Sequence, residues 1–302
     1  RKLMEEQAAQ APPSAPGIGT IDTQNVLLWK GYFDEHEWQK AYEEVKSVSF
    51  VPTQVRNNCS GENAGNVFEG CKCNICRDRT EATCEAEACR CIDISRRHVY
   101  TDESKALGIS LYECHDECGC SLACSNRFTQ QPRYNSGHYL RVQYFNNQKE
   151  WGVVCRQDIP RGSFVAEYAG DLLSVEGARA SRAAQLHSLG KHFVLIVREN
   201  MGSVGQDNVF TTCVDGGYKG NISRFFNHSC EPNLATLSIR RGTTTPHICM
   251  VTTRDVKCGE ELCISYGDDT GLQQERQSAT GATTLLPMKR VACCCGAARC
   301  RG

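Results

Sequence analysis

Short apolar runs rich in β-branched and aromatic residues recur along the chain from residue 138 onward. Turn-forming residues separate them, as at 159–162 (IPRG) and 256–261 (VKCGEE). Runs of this length between such turns are typical of β-strands. Strands are predicted within HYLRVQYF, WGVVC, FVAEYAG, HFVLIV, NVFTTCV, ATLSIRR, HICMVTT and ELCISY. The pattern therefore predicts a compact, mostly β domain in the second half of the chain.

Two stretches carry helical signals instead. The first, 34–47, begins at Asp34, a residue type that commonly caps helix N-termini. Its apolar residues fall three and four positions apart, namely Trp38, Ala41, Tyr42 and Val45. The second, 174–188 (SVEGARASRAAQLHS), interrupts the series of strands. We predict a packing helix over the first stretch and a single helix within the β domain over the second.

Composition and charge exclude several classes of protein. The 302 residues are 40% hydrophobic and 8% aromatic, which is typical of a globular chain with one large domain or two ordinary ones. Lys and Arg total 34 against 35 Asp and Glu, so the net charge is −1 and DNA binding through bulk positive charge is not indicated. No apolar run approaches the ~18 residues of a membrane span.

The unusual feature of the composition is its 21 cysteines. Their number is odd and they cluster at short spacings, which suits zinc coordination by converging thiolates better than disulfides. Ten lie within residues 71–124 and four within the last ten residues. The block 59–127 has too few apolar side chains to fold without metal. We favour zinc and a reducing compartment, the cytosol or nucleus, while a secreted disulfide-bonded protein stays open as the alternative.

Two sequence runs carry a family resemblance. RFFNHSCEPN at 224–233 and EELCISYGD at 260–268 resemble the SET-domain protein lysine methyltransferases. The upstream cysteines resemble a pre-SET zinc module, and the C-x-C-x4-C pattern from Cys293 resembles a post-SET module. Both modules together are typical of the Su(var)-type histone methyltransferases. Within that class, EYAGDLL, FNHSCEPNL and IVREN resemble the methyltransferase half of SET–mariner transposase fusion proteins.

The resemblance implies a mostly β SET-domain fold of several small sheets. It also implies a threaded, pseudoknot-like C-terminal segment, a flanking cysteine-rich zinc module and a short zinc-binding tail. The predicted segments are a flexible lead-in (1–20), an N-terminal helical segment (21–58), the pre-SET module (59–128), the SET catalytic domain (129–270), a linker (271–292) and the post-SET tail (293–302).

The resemblance also implies the metal ligands. Pre-SET modules hold three zinc ions with nine cysteines, because three bridging thiolates complete the twelve bonds that three tetrahedral ions need. This chain offers ten candidates, of which either Cys76 or Cys84 is the surplus, and separate mononuclear sites remain the alternative. The ten are Cys71, Cys73, Cys76, Cys84, Cys89, Cys91, Cys114, Cys118, Cys120 and Cys124. The implied ligands of one further zinc at the tail are Cys230, Cys293, Cys295 and Cys300, with Cys294 a bystander.

The implied cofactor is S-adenosylmethionine. Its sulfonium needs anionic or aromatic surroundings, and its adenine needs an apolar slot. The residues that the family motifs place at this pocket are Trp151, Gly152, Phe193, Arg224, Asn227 and His228. Phe193 stands where relatives often carry a tyrosine, so the ring is kept and a hydroxyl is lost.

The implied reaction is an in-line displacement in which a neutral lysine amine attacks the methyl carbon, which demands alignment of the two groups. Tyr266 resembles the catalytic tyrosine of the family, and Tyr168 the second active-site tyrosine. Ser265 replaces the usual acidic residue before Tyr266. Ile264 replaces a Phe or Tyr and has no hydroxyl, so di- or trimethylation is predicted.

The resemblance implies a nuclear enzyme whose leading substrate is lysine-9 of the histone H3 tail on chromatin. The peptide is expected to lie as an added strand beneath the post-SET tail. Arg198 stands where such enzymes often carry an acidic residue, and a like charge disfavours the arginine that precedes the target lysine. Asp268 and Asp269 are alternative sources of acidity. Another H3 lysine, a non-histone target and a catalytically inactive chromatin-binding module remain open.

Overall fold

The computed structural model describes residues 23–55, 111–124, 126–131, 134–200, 209–266 and 293–300. In these ranges the helices are Thr23–Lys30 (α1), Trp38–Val45 (α2) and Val175–Leu189 (α3), with short 3₁₀ helices at Phe128–Gln130 and Ile222–Phe225. The predicted lead-in, the linker and most of the cysteine-rich module lie outside the described residues.

The strands are short. They are Ser49–Phe50 (β1), Leu111–Glu113 (β2), Leu140–Tyr144 (β3), Trp151–Cys155 (β4), Phe164–Glu167 (β5), Asp171–Leu173 (β6), Val194–Asn200 (β7), Val209–Asp215 (β8), Lys219–Gly220 (β9), Asn227–His228 (β10), Leu234–Arg241 (β11), His247–Thr252 (β12) and Glu261–Ile264 (β13). Each of the eight predicted apolar runs overlaps one of them, so these strand predictions are confirmed.

The strands form four small sheets within the described ranges, with the orders β1-β9, β10-β13-β4-β3, β2-β11-β12-β5 and β6-β8-β7. The last strand, β13, enters between two earlier ones, because it pairs in parallel with β10 and antiparallel with β4. The predicted mostly β fold of several small sheets is therefore confirmed.

The helix over 34–47 forms, but it begins later than predicted. Glu37 is the N-cap of α2 and makes no side-chain capping bond. Asp34 instead forms ion pairs with Arg141 at 2.7 Å and Arg156 at 2.9 Å. The prediction that Asp34 caps the helix was wrong, because its carboxylate is held by two guanidinium groups of the β domain.

The second predicted helix is confirmed as α3. The Ser174 side chain accepts a hydrogen bond from the Gly177 N–H at 3.1 Å, which is a regular N-cap. The helix ends at Gly190, whose φ of 70° places it in the left-handed region that glycine adopts without strain. None of the helices in the described ranges is long and apolar enough to cross a membrane.

The N-terminal helices pack onto the β domain. Trp29 is fully buried, and its indole N–H donates to the Val48 carbonyl at 3.0 Å. Its ring meets Phe225 edge-on at 6.1 Å, and Phe33 meets Trp151 edge-on at 5.5 Å. Burial of these aromatic rings joins the N-terminal segment to the strand that begins with Trp151.

A buried ionic network joins the end of the cysteine-rich segment to the sheets. Arg241 contacts Glu113 of β2 and Glu167 of β5, both at 3.3 Å, and donates to the Thr129 hydroxyl at 2.6 Å. Burial raises the pKa of Glu167, but the hydrogen bond to His247 and the charge of Arg241 outweigh it and the pKa is lowered. Removal of one partner of such a pair leaves a buried charge uncompensated, so the contact fixes how these segments meet.

Candidate active site

Four cysteine sulfurs from distant parts of the chain converge at the C-terminal tail. The Sγ atoms of Cys230, Cys293, Cys295 and Cys300 all lie within 4.8 Å of one another. Hydrogen bonds from the backbone N–H groups of Cys230 and Ala297 lower the pKa of Cys295. The backbone N–H of Cys295 likewise lowers the pKa of Cys293, but burial and hydrogen bonds with the neighbouring sulfurs outweigh it and the pKa is raised, as expected for thiols close enough to share protons. Four thiolates are the ligand set of structural tetrahedral zinc, so these residues fit the ion.

A second group of sulfurs lies upstream. The Sγ atoms of Cys114, Cys120 and Cys124 are buried and lie within 4.8 Å of one another. Cys118 is also buried, and its sulfur accepts the His115 backbone N–H at 3.2 Å. Converging thiols of this kind can hold metal. The other predicted ligands lie outside the described residues: Cys71, Cys73, Cys76, Cys84, Cys89 and Cys91.

Trp151 and Gly152 open β4 and form one wall of the site with Asn227. The Asn227 Nδ2 donates to the Trp151 carbonyl at 3.1 Å and to Glu261 Oε1 at 2.9 Å. A Cβ at Gly152 would lie 2.7 Å from both Asn227 Nδ2 and Glu261 Oε1, so any side chain here would displace at least one of these groups. Lys149 pairs with Glu261 from the other side.

Glu261 is a site residue that the sequence analysis missed. It is the first residue of β13 and the second of the two glutamates in EELCISY. Its place next to Trp151 and Asn227 depends on strand pairing, because Glu261 lies opposite Val154 in β4. The only sequence signal was its position in the run that contains Tyr266.

Arg224 forms a second wall together with Phe193. The guanidinium lies 3.9 Å from the centre of the Phe193 ring and 5.2 Å from that of Phe225, in cation–π geometry. Arg224 is 6% exposed, and burial lowers its pKa to about 10, so it stays charged at neutral pH. Its Nε and Nη1 atoms have no hydrogen-bond partner among the described residues. A buried cation with unused donors is suited to an anionic group.

Tyr168 follows β5 and is buried beside Phe193. Its hydroxyl donates to the Phe193 carbonyl at 2.8 Å. Burial raises the pKa of Tyr168 well above its ordinary value, and the nearby Tyr266 raises it further, whereas Arg224 opposes the shift. The hydroxyl therefore keeps its proton, and Tyr168 is close enough to Tyr266 for the two to interact electrostatically.

Tyr266 follows β13 and is held at both ends. Its hydroxyl donates to the Phe226 carbonyl at 2.9 Å, and its backbone N–H donates to Nδ1 of His228 at 3.2 Å. The residue is 60% exposed, but its hydroxyl is directed at a buried carbonyl, and loss of water there raises the pKa of Tyr266 to about 12. Of the two preceding residues, Ile264 is buried and Ser265 is exposed.

The structure brings the eight candidate catalytic and cofactor residues into one region. The pairing of β10 with β13 places His228 opposite Ile264, two residues before Tyr266. Tyr168 connects this end of the site to Phe193 and Arg224. The eight residues are Trp151, Gly152, Tyr168, Phe193, Arg224, Asn227, His228 and Tyr266.

The position considered for substrate selection, where an acidic residue was sought, lies on β7 and is occupied by Arg198. Arg198 is half-buried and lies opposite Thr211. The next residue, Glu199, is buried and accepts two hydrogen bonds from Arg240, both at 2.9 Å. The carboxylate of Glu199 is thus already paired with the guanidinium of Arg240. Asp268 and Asp269 lie outside the described residues.

This arrangement is that of a SET domain, and the family model for the SET domain matches residues 150–267. The mouse protein named Histone-lysine N-methyltransferase SETMAR is 32% identical over 241 residues, which cover 77% of this chain and 72% of the relative. The Su(var)3-9 methyltransferase of Drosophila pseudoobscura pseudoobscura is 31% identical over 257 residues, which cover 82% of this chain but only 38% of the relative. The chain belongs to the SET-domain family of histone-lysine N-methyltransferases.

Solved structures agree with this assignment. The methyltransferase domain of human SETMAR superposes with a TM-score of 0.60 at 27% identity, covering 84% of this chain and 87% of that domain. The Neurospora SET-domain protein DIM-5 superposes with a TM-score of 0.55 at 22% identity, covering 80% of this chain and 93% of that one. The second comparison bears on the fold alone.

Proposed function

We propose that this chain transfers methyl groups from S-adenosylmethionine to a lysine of a histone tail, with lysine-9 of histone H3 as the leading target. The observation that carries the proposal is that hydrogen bonds fix the Tyr168 hydroxyl against Phe193, beside Arg224, and the Tyr266 hydroxyl against Phe226, next to the Asn227 that contacts Trp151. The names of the relatives support the same reaction, since both the mouse and the Drosophila protein are called histone-lysine N-methyltransferases.

The residues fit the cofactor. S-adenosylmethionine carries a carboxylate, and Arg224 offers it a buried positive charge with two unused donors. Trp151 and Phe193 offer aromatic faces to its positive sulfur. Gly152 leaves room for the hydrogen bond between Asn227 and Glu261, which keeps this wall of the site in place. When bound, the cofactor supplies a methyl carbon that its positive sulfur activates for displacement.

The two tyrosines orient the lysine rather than deprotonate it. Each hydroxyl keeps its proton at neutral pH, because burial raises both pKa values. Tyr266 donates to the Phe226 carbonyl, so its oxygen is fixed and still has a lone pair for an amine N–H. The amine must therefore arrive neutral, and the rate is expected to rise with pH towards the pKa of that amine.

The thiolate clusters are proposed to hold four zinc ions, three upstream and one at the tail. A zinc with four thiolate ligands has no open position for water, so the role of each ion is structural. The tail ion would join Cys230, two residues after His228, to residues 293–300 and so complete a wall beside the site. Reduced thiols and a histone substrate both support a nuclear location on chromatin.

One observation favours a target other than lysine-9. Arg198 presents positive charge on β7, and the carboxylate of the adjacent Glu199 is already paired with Arg240. An arginine immediately before the target lysine would therefore meet a like charge. A different H3 lysine, or a lysine of another protein, is the second candidate.

The decisive experiment is methyl transfer from tritiated S-adenosylmethionine to H3 tail peptides in which each lysine is replaced in turn by arginine. Loss of label only when lysine-9 is replaced is the expected result, and Tyr266→Phe is the inactive control. Label that depends on another lysine would assign that residue instead. Cofactor binding without transfer to any peptide or nuclear protein would favour the inactive module.

The number of methyl groups is tested in the same assay. Ile264 has no hydroxyl with which to hold the lysine amine in one orientation, so di- and trimethyl products are expected. Mass spectrometry of the exhaustively treated peptide reads the product directly. A reaction that stops at the monomethyl product would reject this part of the proposal.

A further inference from the structure

We infer that Gln185, in the middle of α3, is a positioning residue for the cofactor site, because its side-chain amide fixes two backbone segments of the wall that Phe193 and Arg224 form. The inference rests on the proposed function. Gln185 was not among the residues that the sequence singled out. Its side chain is fully buried, and every polar atom of the amide makes a hydrogen bond.

The first link is to Phe193. The Gln185 Oε1 atom accepts the backbone N–H of Phe193 at 2.8 Å. The Phe193 carbonyl accepts the Tyr168 hydroxyl at 2.8 Å and the Gly216 N–H at 2.9 Å. One peptide segment thus connects the helix to a tyrosine hydroxyl of the site. A displacement of Phe193 would move both the aromatic ring beside Arg224 and the acceptor of Tyr168.

The second link is through Asp215, at the end of β8. The Gln185 Nε2 atom donates to Asp215 Oδ1 at 2.8 Å and to the Ser181 hydroxyl at 3.0 Å. Asp215 Oδ1 also accepts the Gly217 N–H at 2.8 Å. The Gly217 carbonyl in turn accepts Nη2 of Arg224 at 3.5 Å. The same amide therefore supports the backbone that holds the guanidinium.

Packing alone does not explain a glutamine here. A buried amide is costly unless every donor and acceptor is satisfied, and an apolar side chain of similar volume would fill the same space. The loop packs directly on the amide, since a Cβ at Gly217 would lie 2.5 Å from Gln185 Nε2. The amide is needed because one neighbour, Phe193, requires an acceptor and the other, Asp215, requires a donor.

The sharpest variant is Gln185→Glu, which keeps the acceptor for Phe193 and replaces the donor to Asp215 by an oxygen. Two carboxyl groups at this distance share one proton at low pH and repel each other once it is lost. The other charged or titratable groups around Asp215 are Tyr168, Arg224, Asp171 directly opposite in β6, and Lys219, which pairs with Asp171 at 2.8 Å.

The expected result is a pH-dependent loss of cofactor affinity. The ratio of the Kd for S-adenosylmethionine in Gln185→Glu to that in the wild-type protein should be close to one at the lowest pH at which both are folded. It should rise to about tenfold as the pH increases, as expected for the loss of one buried hydrogen bond. Amide hydrogen exchange at Phe193 and Gly217 should accelerate over the same pH range.

Two further variants complete the test. Ala184→Glu adds a carboxylate at the exposed neighbouring position and should change neither the Kd nor the exchange rates. Gln185→Met removes both links with little change in volume, and should weaken binding to a similar extent at every pH. If Gln185→Glu does not fold, Gln185→Met and its exchange rates decide the question.

Wild-type affinity and unchanged exchange in the Gln185 variants would overturn the inference. The two proposals can also fail separately. If the wild-type protein binds no S-adenosylmethionine, the proposed function fails, whereas faster exchange at Phe193 and Gly217 in the variant would still support the positioning role. If the wild-type protein binds and transfers normally and the Gln185 variants bind S-adenosylmethionine as tightly as it does, with unchanged exchange, the positioning role alone fails.

Discussion

The narrow gap at Gly152 gives the sharpest prediction, made with the substitution Gly152→Ala. The new methyl group would lie 2.7 Å from Asn227 Nδ2, 2.7 Å from Glu261 Oε1 and 2.8 Å from Cε2 of Phe145. All three distances are shorter than the van der Waals contact distance between a methyl carbon and another heavy atom, so at least one neighbour must move. We expect the Asn227 amide to be displaced, because it lies beside the new methyl group and is held in place by its hydrogen bonds to the Trp151 carbonyl and to Glu261.

The cost can be worked from these contacts. Rotation of Asn227 breaks its bond to the Trp151 carbonyl, about 1 kcal/mol, and its bond to the charged Glu261, about 1.5 kcal/mol or more. If the Asn227 side chain instead keeps its position, the extra methyl group is forced into a filled space, which costs about 1–3 kcal/mol. The first route costs about 2.5 kcal/mol or more and the second about 2 kcal/mol, so the expected loss is about 2 kcal/mol. This corresponds to roughly 30-fold weaker cofactor binding if the wall must be intact in the complex.

Isothermal titration with S-adenosylmethionine and thermal unfolding measure the two effects. A loss of about 2 kcal/mol lowers the Tm of a domain of this size by roughly 4–8 °C. The matched control is Gly177→Ala in α3, where the nearest atoms are 3.4 Å and 3.6 Å from the added Cβ. Alanine favours a helix over glycine by about 1 kcal/mol, so the control should keep cofactor affinity and unfold at a slightly higher temperature.

An unchanged Kd and Tm in Gly152→Ala would refute the reasoning, because they would mean that the site has room for a side chain beside Asn227. Lower stability with unchanged affinity would show that the wall is structural and does not contact the cofactor. A similar loss in Gly177→Ala would point to a general sensitivity to alanine and not to the gap.

Two other features give testable predictions. Tyr266→Phe should reduce methyl transfer by about 100-fold or more without weakening cofactor binding, as measured by single-turnover kinetics and titration. The pKa of Tyr266 in the folded protein is raised to about 12 from an ordinary value near 10. The stability that its neutral hydroxyl provides is therefore complete below pH 10 and is lost as the pH rises from about 10 to 12. Phenolate absorbance should show no ionisation of Tyr266 at pH 10. Cys295→Ser should lower the zinc content by one ion per chain in native mass spectrometry, whereas the exposed Cys258→Ser should not.

Three results would contradict these expectations. Undiminished transfer by Tyr266→Phe would remove the hydroxyl from the mechanism. A phenolate signal from Tyr266 near pH 10 would mean that water reaches its hydroxyl. Equal zinc content in Cys295→Ser and Cys258→Ser would mean that the tail sulfurs do not bind the ion.

The longer strands could be predicted from the sequence because their apolar runs are local signals. The shortest elements could not, since two-residue strands such as β1, β9 and β10 have no periodicity to detect. They form because distant backbone segments meet, as when Ser49 pairs with Lys219. The cap predicted at Asp34 was wrong for a related reason, because Arg141 lies more than a hundred positions away in the sequence.

The candidate site was predicted through motifs, and the structure adds what motifs do not carry. Tyr266, Asn227 and His228 stand in runs with a family resemblance. Glu261 lies in such a run but nothing there marks it as a site residue, and Gln185 lies in none; the roles of both depend on which strand and which loop they face in the folded chain. Hydrophobic patterning predicts that a position is buried, but it does not identify the hydrogen-bond partners of a polar side chain there.

The pairing of early strands with late ones has a consequence for biosynthesis. β1 has no partner until residues 219–220 have left the ribosome, and β2 must wait for Ile239–Arg241. β4 receives β13 only after Glu261 and Leu262 have been made, more than a hundred residues later. Such long sequence separations slow folding, so strand edges stay unpaired and thiols stay reduced during much of the synthesis of the chain. Protection of those edges and thiols during synthesis is therefore expected to influence the yield of folded protein.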